Sequence, residues 1–362
     1  MANVLKIKGN PNEATKKLLR YLMEQNKIDG VFALGKTDEG YSYLLATDID
    51  KLEEMQPLTP FMPENAANLL SCLTERGAIP EKIAVVIRPC ELRAFVELVK
   101  REQAIKENLV FLSPICGGVI RFDSYIDDNI EKEIPDYTKS FFAQKNPDSI
   151  RDTCTACEHF IPINADIKII TRKDSCEFHL DTPAAEEIAK DAPGDKKDSG
   201  FDEKEFEALA KARKNGKEKL SNELNTENFG IDGLVSTFGK CIGCHGCSSV
   251  CPICYCALCA FECKDNEFTP SIFENELGKR GSMRVPPNTV FYQLGRLTHM
   301  GISCVGCGMC SDVCPANIPV SAIFMHVGQA TQKVFDYLPG RDYEEPVPLV
   351  TFEEKELAEV ED

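Results

Sequence analysis

Eighteen cysteines stand in a chain of 362 residues, and they are not spread evenly. Eight lie between Cys241 and Cys263, four between Cys304 and Cys314, and six in the first half. Two stretches repeat one spacing. Cys241, Cys244, Cys247 and Cys251 end at Pro252, while Cys304, Cys307, Cys310 and Cys314 end at Pro315. Each reads C-x2-C-x2-C-x3-C-P, a run that holds 4Fe–4S clusters. Three thiolates on a tight loop reach three irons of one cubane, and the loop aims backbone N–H groups at the bridging sulfides. Gly243, Gly246, Gly306 and Gly308 let the backbone come close. The fourth cysteine of each run faces the other cluster. Cys241, Cys244, Cys247 and Cys314 are therefore expected to hold one cluster, and Cys304, Cys307, Cys310 and Cys251 the second. Structural zinc sites usually pair two cysteines with two ligands further away. A triplet followed by Cys-Pro, occurring twice, is not that pattern.

Other cysteines allow more than one reading. Cys254, Cys256, Cys259 and Cys263 follow the first run directly. Four soft ligands so close could hold an additional cluster, or some could be buried thiols packed beneath the second one. Cys90 and Cys116 each end an apolar run, at the carboxyl ends of strands where α/β sheets place their sites. Cys154 and Cys157 form a C-x2-C pair. These four could converge on one cubane; zinc or a mixture of structural thiols is the alternative. Cys72 and Cys176 have no such neighbours and are expected to pack as small apolar side chains.

The elements that must position these residues can be read from periodicity. Residues 13–26 have helical apolar spacing at Leu18, Leu19, Leu22 and Met23. DGVFALG reads as a strand, YSYLLAT as its hairpin or neighbouring partner, and residues 66–76 as a helix. IAVVI at 83–87, the helical ELRAFVELVKREQ, and LVFLSPIC form a strand–helix–strand unit. The expected fold is an α/β N-terminal domain over 1–185, a charged linker or spacer helix over 186–232, and an α+β bacterial-ferredoxin-like domain with two 4Fe–4S clusters over 233–335. An acidic tail, extended or partly disordered, fills 336–362.

The net charge of −17 repels nucleic-acid phosphates and anionic membranes. No apolar run approaches the ~20 residues of a membrane span, and the N-terminus lacks a secretory pattern. A cytoplasmic location is expected. No nucleophile–base pair and no Gly-rich phosphate loop is present, so any catalysis lies in redox cofactors. Arg280, Arg284, Arg296 and His299 stand near the second run. They could receive an anionic partner or tune a cluster's potential; alternatively the arginines cap a helix or pair with carboxylates, and His299 packs on its helix.

Taken together, the segments DGVFAL, RPCELRAFVELVKREQAIKENLVFL, ICGG, CTACEHFIPINADI, KCIGCHGCSSVCPICYC, RVPPNTVFYQLGRLTHMGISCVGCGMCSDVCPANIPV and YLPGRDYEEP resemble the beta subunit of the deazaflavin-dependent formate dehydrogenase of methanogens, with its relative in the deazaflavin-reducing hydrogenase. The resemblance covers nearly the whole chain. It implies an iron–sulfur flavoprotein subunit of an oxidoreductase, with FAD and a cluster in the N-terminal domain. Cys90, Cys116, Cys154 and Cys157 fall where that family has its N-terminal cysteines. The ferredoxin-like part would exchange electrons with a catalytic redox subunit. Two segments depart from the family pattern: GNPNEATKKLLRYLM lacks a Cys-Gly-Gly, and ADIKIITRKDSC lacks a glycine-containing turn. The alternative is therefore a flavin-free electron conduit in a hydrogenase or heterodisulfide-reductase-like assembly.

Overall fold

The computed structural model describes residues 3–126, 130–224, 230–261, 270–281 and 289–348. In chain order its elements begin with β1 (Val4–Lys8), α1 (Pro11–Glu24), β2 (Gly30–Thr37), β3 (Gly40–Ala46), α2 (Ala66–Thr74), β4 (Ile83–Val86), α3 (Pro89–Lys100) and β5 (Leu109–Pro114). They continue with α4 (Phe122–Ile126), α5 (Ile130–Phe142), α6 (Asp152–Thr155), β6 (Ile167–Arg172), β7 (Ser175–Leu180), α7 (Pro183–Ile188), β8 (Asp195–Lys197) and α8 (Glu207–Glu223). The cysteine-rich part supplies α9 (Gly230–Phe238), α10 (Gly246–Ser249), α11 (Pro270–Arg280), α12 (Thr289–Met300), α13 (Met309–Asp312) and α14 (Val320–Val334).

Eight strands form one sheet in the order β3-β2-β4-β5-β6-β7-β1-β8. β2, β4, β5 and β6 run parallel, and antiparallel pairs complete both edges. The parallel strands are apolar on both faces because helices cover both. Alternate residues feed separate cores: Val31, Ala84, Val110 and Ile167 pack with Leu18, Leu19 and Leu22 of α1, while Phe32, Val85 and Phe111 pack with Leu70, Leu92 and Phe95 of α2 and α3. Asn10 caps α1 by accepting from the Glu13 N–H. Both the hairpin and the strand–helix–strand unit form as their sequences indicate. Cys176 is fully buried in the first core, whereas Cys72 is exposed.

Cys72 thus departs from its expected packing, and three further expectations need correction. The stretch 186–232 is not uniformly a spacer. β8 pairs with β1 and covers a sheet edge, and α8 buries Leu209 and Arg213. The α+β expectation for 233–335 is not met among the described residues, which form helices and loops with no strand. Apolar spacing of three and four residues makes α12 and α14 helices. Finally, residues 336–348 of the tail are docked. Glu97 of α3, fully buried, accepts from the Tyr337 hydroxyl at 2.5 Å, the Gly340 N–H at 2.9 Å and Lys100 at 3.1 Å. Arg93 donates to the Pro339 carbonyl at 2.7 Å. The remainder of the tail, 349–362, lies outside the described residues. Among the described residues no helix is long and apolar enough to cross a membrane.

Candidate functional site

The second cysteine run is a loop that turns twice through the left-handed region, at Gly306 (φ 69°) and Gly308 (φ 87°). A Cβ on Gly308 would stand 2.8 Å from both Arg151 Cδ and Thr153 Oγ1, at the start of α6. Glycine is thus required there by conformation and by space. Cys304, Cys307, Cys310 and Cys251 all line one cavity of about 30 Å³, closed by Pro252, Met300, Phe324 and Arg296. These are the four expected ligands of the second cluster, including the one contributed by the first run. Burial pushes the Cys304 thiol up to about 11, against the lowering effect of the Gly306 N–H. Burial also raises Cys310, and the neighbouring Cys307 adds to it.

The first run packs beside the second through α10 and α13. Cys241, Cys251, Cys304, Cys310 and Cys314 share one apolar cluster with Ile253, Met300 and Phe324. Cys241 and Cys247 are buried and Cys244 is exposed. Helix α12 supplies polar groups to this loop. Arg296 donates to Cys247 Sγ and to the Cys247 carbonyl, both at 3.0 Å. Gln293 donates to Cys241 Sγ at 3.6 Å and Cys247 Sγ at 3.8 Å. Cys254 sits against Cys251 and 3.6 Å from Met300 Sδ, which fits a thiol packed beneath the second site. Cys256 is exposed and Cys259 half-buried; Cys263 lies outside the described residues, as does Arg284. His299 is exposed beside Phe261, and Arg280 ends the exposed face of α11.

Of the four N-terminal cysteines, Cys90 stands in the first turn of α3 just after β4, Cys116 just after β5, Cys154 in the short helix α6 and Cys157 just past it. Burial raises the Cys90 thiol, followed by the charge of Glu91 and then by the sulfurs of Cys307, Cys116 and Cys154. Burial pushes Cys154 up to about 12, against the pull of Arg151 and Arg213. Cys116 is raised by burial and feels Cys157. Such crowding of sulfurs disfavours thiolates until a cationic centre accompanies them. Cys90, Cys154 and Cys307 also pack together around Met62, Val119 and Met309, so this group touches the second run. Among the described residues, no group of three or more His, Cys, Asp and Glu is arranged for a single metal ion.

Beyond Cys116 opens a cleft of about 590 Å³ at the carboxyl ends of β4 and β5. Its walls include Arg88, Gly117, Gly118, Tyr137, Phe141 and Lys173, together with residues 10–13 at the start of α1.

A curated relative in Methanococcus maripaludis, the F420-dependent formate dehydrogenase 1 subunit beta, is 30% identical over 94% of this chain and 94% of its own length. The chain belongs to this family of formate dehydrogenase beta subunits. A second member, the F420-dependent formate dehydrogenase subunit beta of Methanocaldococcus jannaschii, is 27% identical over 93% of each chain. No family model matches the sequence. A chain in a structure of the F420-reducing [NiFe] hydrogenase complex from Methanosarcina barkeri aligns over 64% of this chain and 94% of that one, at 15% identity and a TM-score of 0.46.

Several residues at the site carry no spacing signal in the sequence. Arg151 donates to the carbonyls of Cys307 at 2.9 Å and Met62 at 3.0 Å. Arg213 donates to the carbonyls of Gly117, at 2.7 Å, and Cys154. Gln293, three residues before the Arg296 already singled out and on the same buried face of α12, is one that an unusual polar pattern in an amphipathic helix could have marked.

Proposed function

We propose that this chain is an electron-transferring beta subunit of a formate-dehydrogenase-type complex, with 4Fe–4S clusters on its cysteine runs and an FAD in the cleft. Bound clusters would carry single electrons between a catalytic redox subunit and the flavin or a soluble carrier. Cys241, Cys244, Cys247 and Cys314 would hold one cluster, Cys304, Cys307, Cys310 and Cys251 another, and Cys90, Cys116, Cys154 and Cys157 a third. The observation that carries this reading is contiguity. The cavity of the second run adjoins Cys90 and Cys154 through Cys307, and Cys116 of the N-terminal group lines the cleft. All-sulfur donor sets suit iron–sulfur chemistry.

The cleft fits a ring-and-phosphate cofactor in its chemistry. Tyr137, Phe141 and Phe142 offer ring faces and Lys173 offers positive charge to a diphosphate, while the other two cations of the lining, Arg88 and Lys36, are paired with Glu91 and Glu131. A flavin-free conduit is the second reading, and one observation favours it: both segments that depart from the family pattern line this cleft, through residues 10–13 and through Thr171 and Lys173. One anaerobic preparation of the full chain decides between them. Two clusters give about eight irons per chain, three about twelve and four about sixteen. About twelve irons with stoichiometric flavin is the expected result. No flavin moves the assignment to the conduit, and zinc in place of iron overturns both.

A further inference from the structure

Arg296 is 3% exposed. Its guanidinium lies between the rings of Phe324 and Tyr292, 5.1 and 5.7 Å from their centroids. Among the described residues it pairs with no carboxylate, and its Nε has no hydrogen-bond partner. A buried guanidinium without a counter-ion is costly in an ordinary protein interior. Yet this chain has 58 Asp and Glu residues from which a partner could have been drawn. What surrounds Arg296 instead is sulfur. One Nη donates to Cys247 Sγ at 3.0 Å, and the guanidinium also lines the cavity that Cys251, Cys304, Cys307 and Cys310 enclose. It therefore stands between the two cysteine runs and contacts a ligand of one while facing the ligands of the other.

We infer that Arg296 is the shared counter-charge of the two C-terminal cluster sites, a positioning residue that holds both centres at a higher reduction potential than their thiolates alone would give. This rests on the cluster assignment proposed above. The physical reason is differential. A cluster gains one negative charge on reduction, and a fixed cation with an N–H directed at a ligand sulfur stabilises the more negative form more than the oxidised one. Gln293 assists from one helical turn away, donating to Cys241 and Cys247, but it brings no charge. Arginine suits the position better than lysine because its planar fork reaches the Cys247 sulfur and carbonyl together.

The test uses the full-length protein purified anaerobically, with iron and acid-labile sulfide counted first and the cluster midpoints then measured by EPR-monitored titration with dithionite. Arg296→Met should weaken the one-electron reduction equilibrium of the first-run cluster at least tenfold, which is 59 mV toward negative potential, with a smaller shift in the same direction at the second. Arg296→Lys should restore part of the shift. Gln293→Leu should shift only the first-run cluster, and by less. Wild-type iron with unchanged midpoints in Arg296→Met overturns the inference. If that variant loses iron, Arg296→Gln, which keeps an N–H donor without the charge, takes its place, and unchanged midpoints there overturn the inference equally. A wild-type protein without cluster iron overturns the cluster assignment itself, and the iron count shows this before any potential is read.

Discussion

Replacing Arg151 with methionine should cost more stability than neutralising the carboxylate it pairs with. Arg151 is buried and the Asp312 side chain is 8% exposed, and two nitrogens of the guanidinium approach Asp312 Oδ2 at 2.6 Å. The same guanidinium reaches the carbonyls of Cys307 and Met62. Burial raises Asp312 above the usual carboxylate range, and Arg151 works against that rise. In Arg151→Met the carboxylate keeps no hydrogen-bond donor among the described residues, so a buried charge is left unpaired. That situation costs about 3–5 kcal/mol. In Asp312→Asn the arginine keeps both carbonyls, and a loss of about 1–2 kcal/mol is expected. The double variant should lose less than the sum, with a coupling of at least about 1 kcal/mol. Urea unfolding of the full chain under anaerobic conditions measures all three. Losses that add within about 0.5 kcal/mol, or an Arg151→Met loss no greater than that of Asp312→Asn, would refute the argument.

Gly340 has φ 75°, and an added Cβ would stand 2.4 Å from Arg93 Cα; Gly340→Ala should cost at least about 1–2 kcal/mol and expose residues 336–348 to protease, and unchanged protection would count against the docked tail. Cys90→Ser should lower iron by about four per chain while the C-terminal clusters persist; an unchanged count removes Cys90 from the ligand set. His179 is buried edge-on to Phe201, and burial lowers its pKa from 6.5. The folded state therefore resists protonation, so stability is full above that value and is lost as pH falls through it toward the folded pKa. His179→Phe should flatten the decline between pH 7 and 5 in thermal unfolding, and an identical slope would rule out His179 as its source.

Much of the sheet was legible because its cues are local. The leucines of α1 repeat at helical spacing, and IAVVI with LVFLSP are short apolar runs bounded by turns. The cysteine spacing was legible for the same reason. What escaped depends on distant partners. β8 is three charged residues, Asp195–Lys197, without alternation; it is a strand because β1 offers an unpaired edge. The tail reads as acidic and extended until Glu97, far back on α3, supplies the buried acceptor for Tyr337 and Gly340. Helix α8 reads as solvated since only Leu209 and Arg213 turn inward.

The buried arginines follow from the cysteine loops themselves. A loop that directs N–H groups toward a cluster leaves its carbonyls facing the protein, where each still requires a donor. Arginine carries five donors on a rigid fork, so one side chain can serve two carbonyls or a carbonyl and a sulfur. Arg296 does this at Cys247, Arg151 at Cys307, and Arg213 at Cys154 and Gly117. Arg93 reaches the Val305 carbonyl at 3.5 Å while holding Pro339 of the tail. Lysine, a point donor on a flexible stem, could not bridge these pairs in one geometry. Hence a chain of net charge −17 still buries Arg93, Arg151, Arg213 and Arg296 around its sulfurs: the loops' backbone carbonyls alone demand these donors, and each arginine ties a loop to the element behind it.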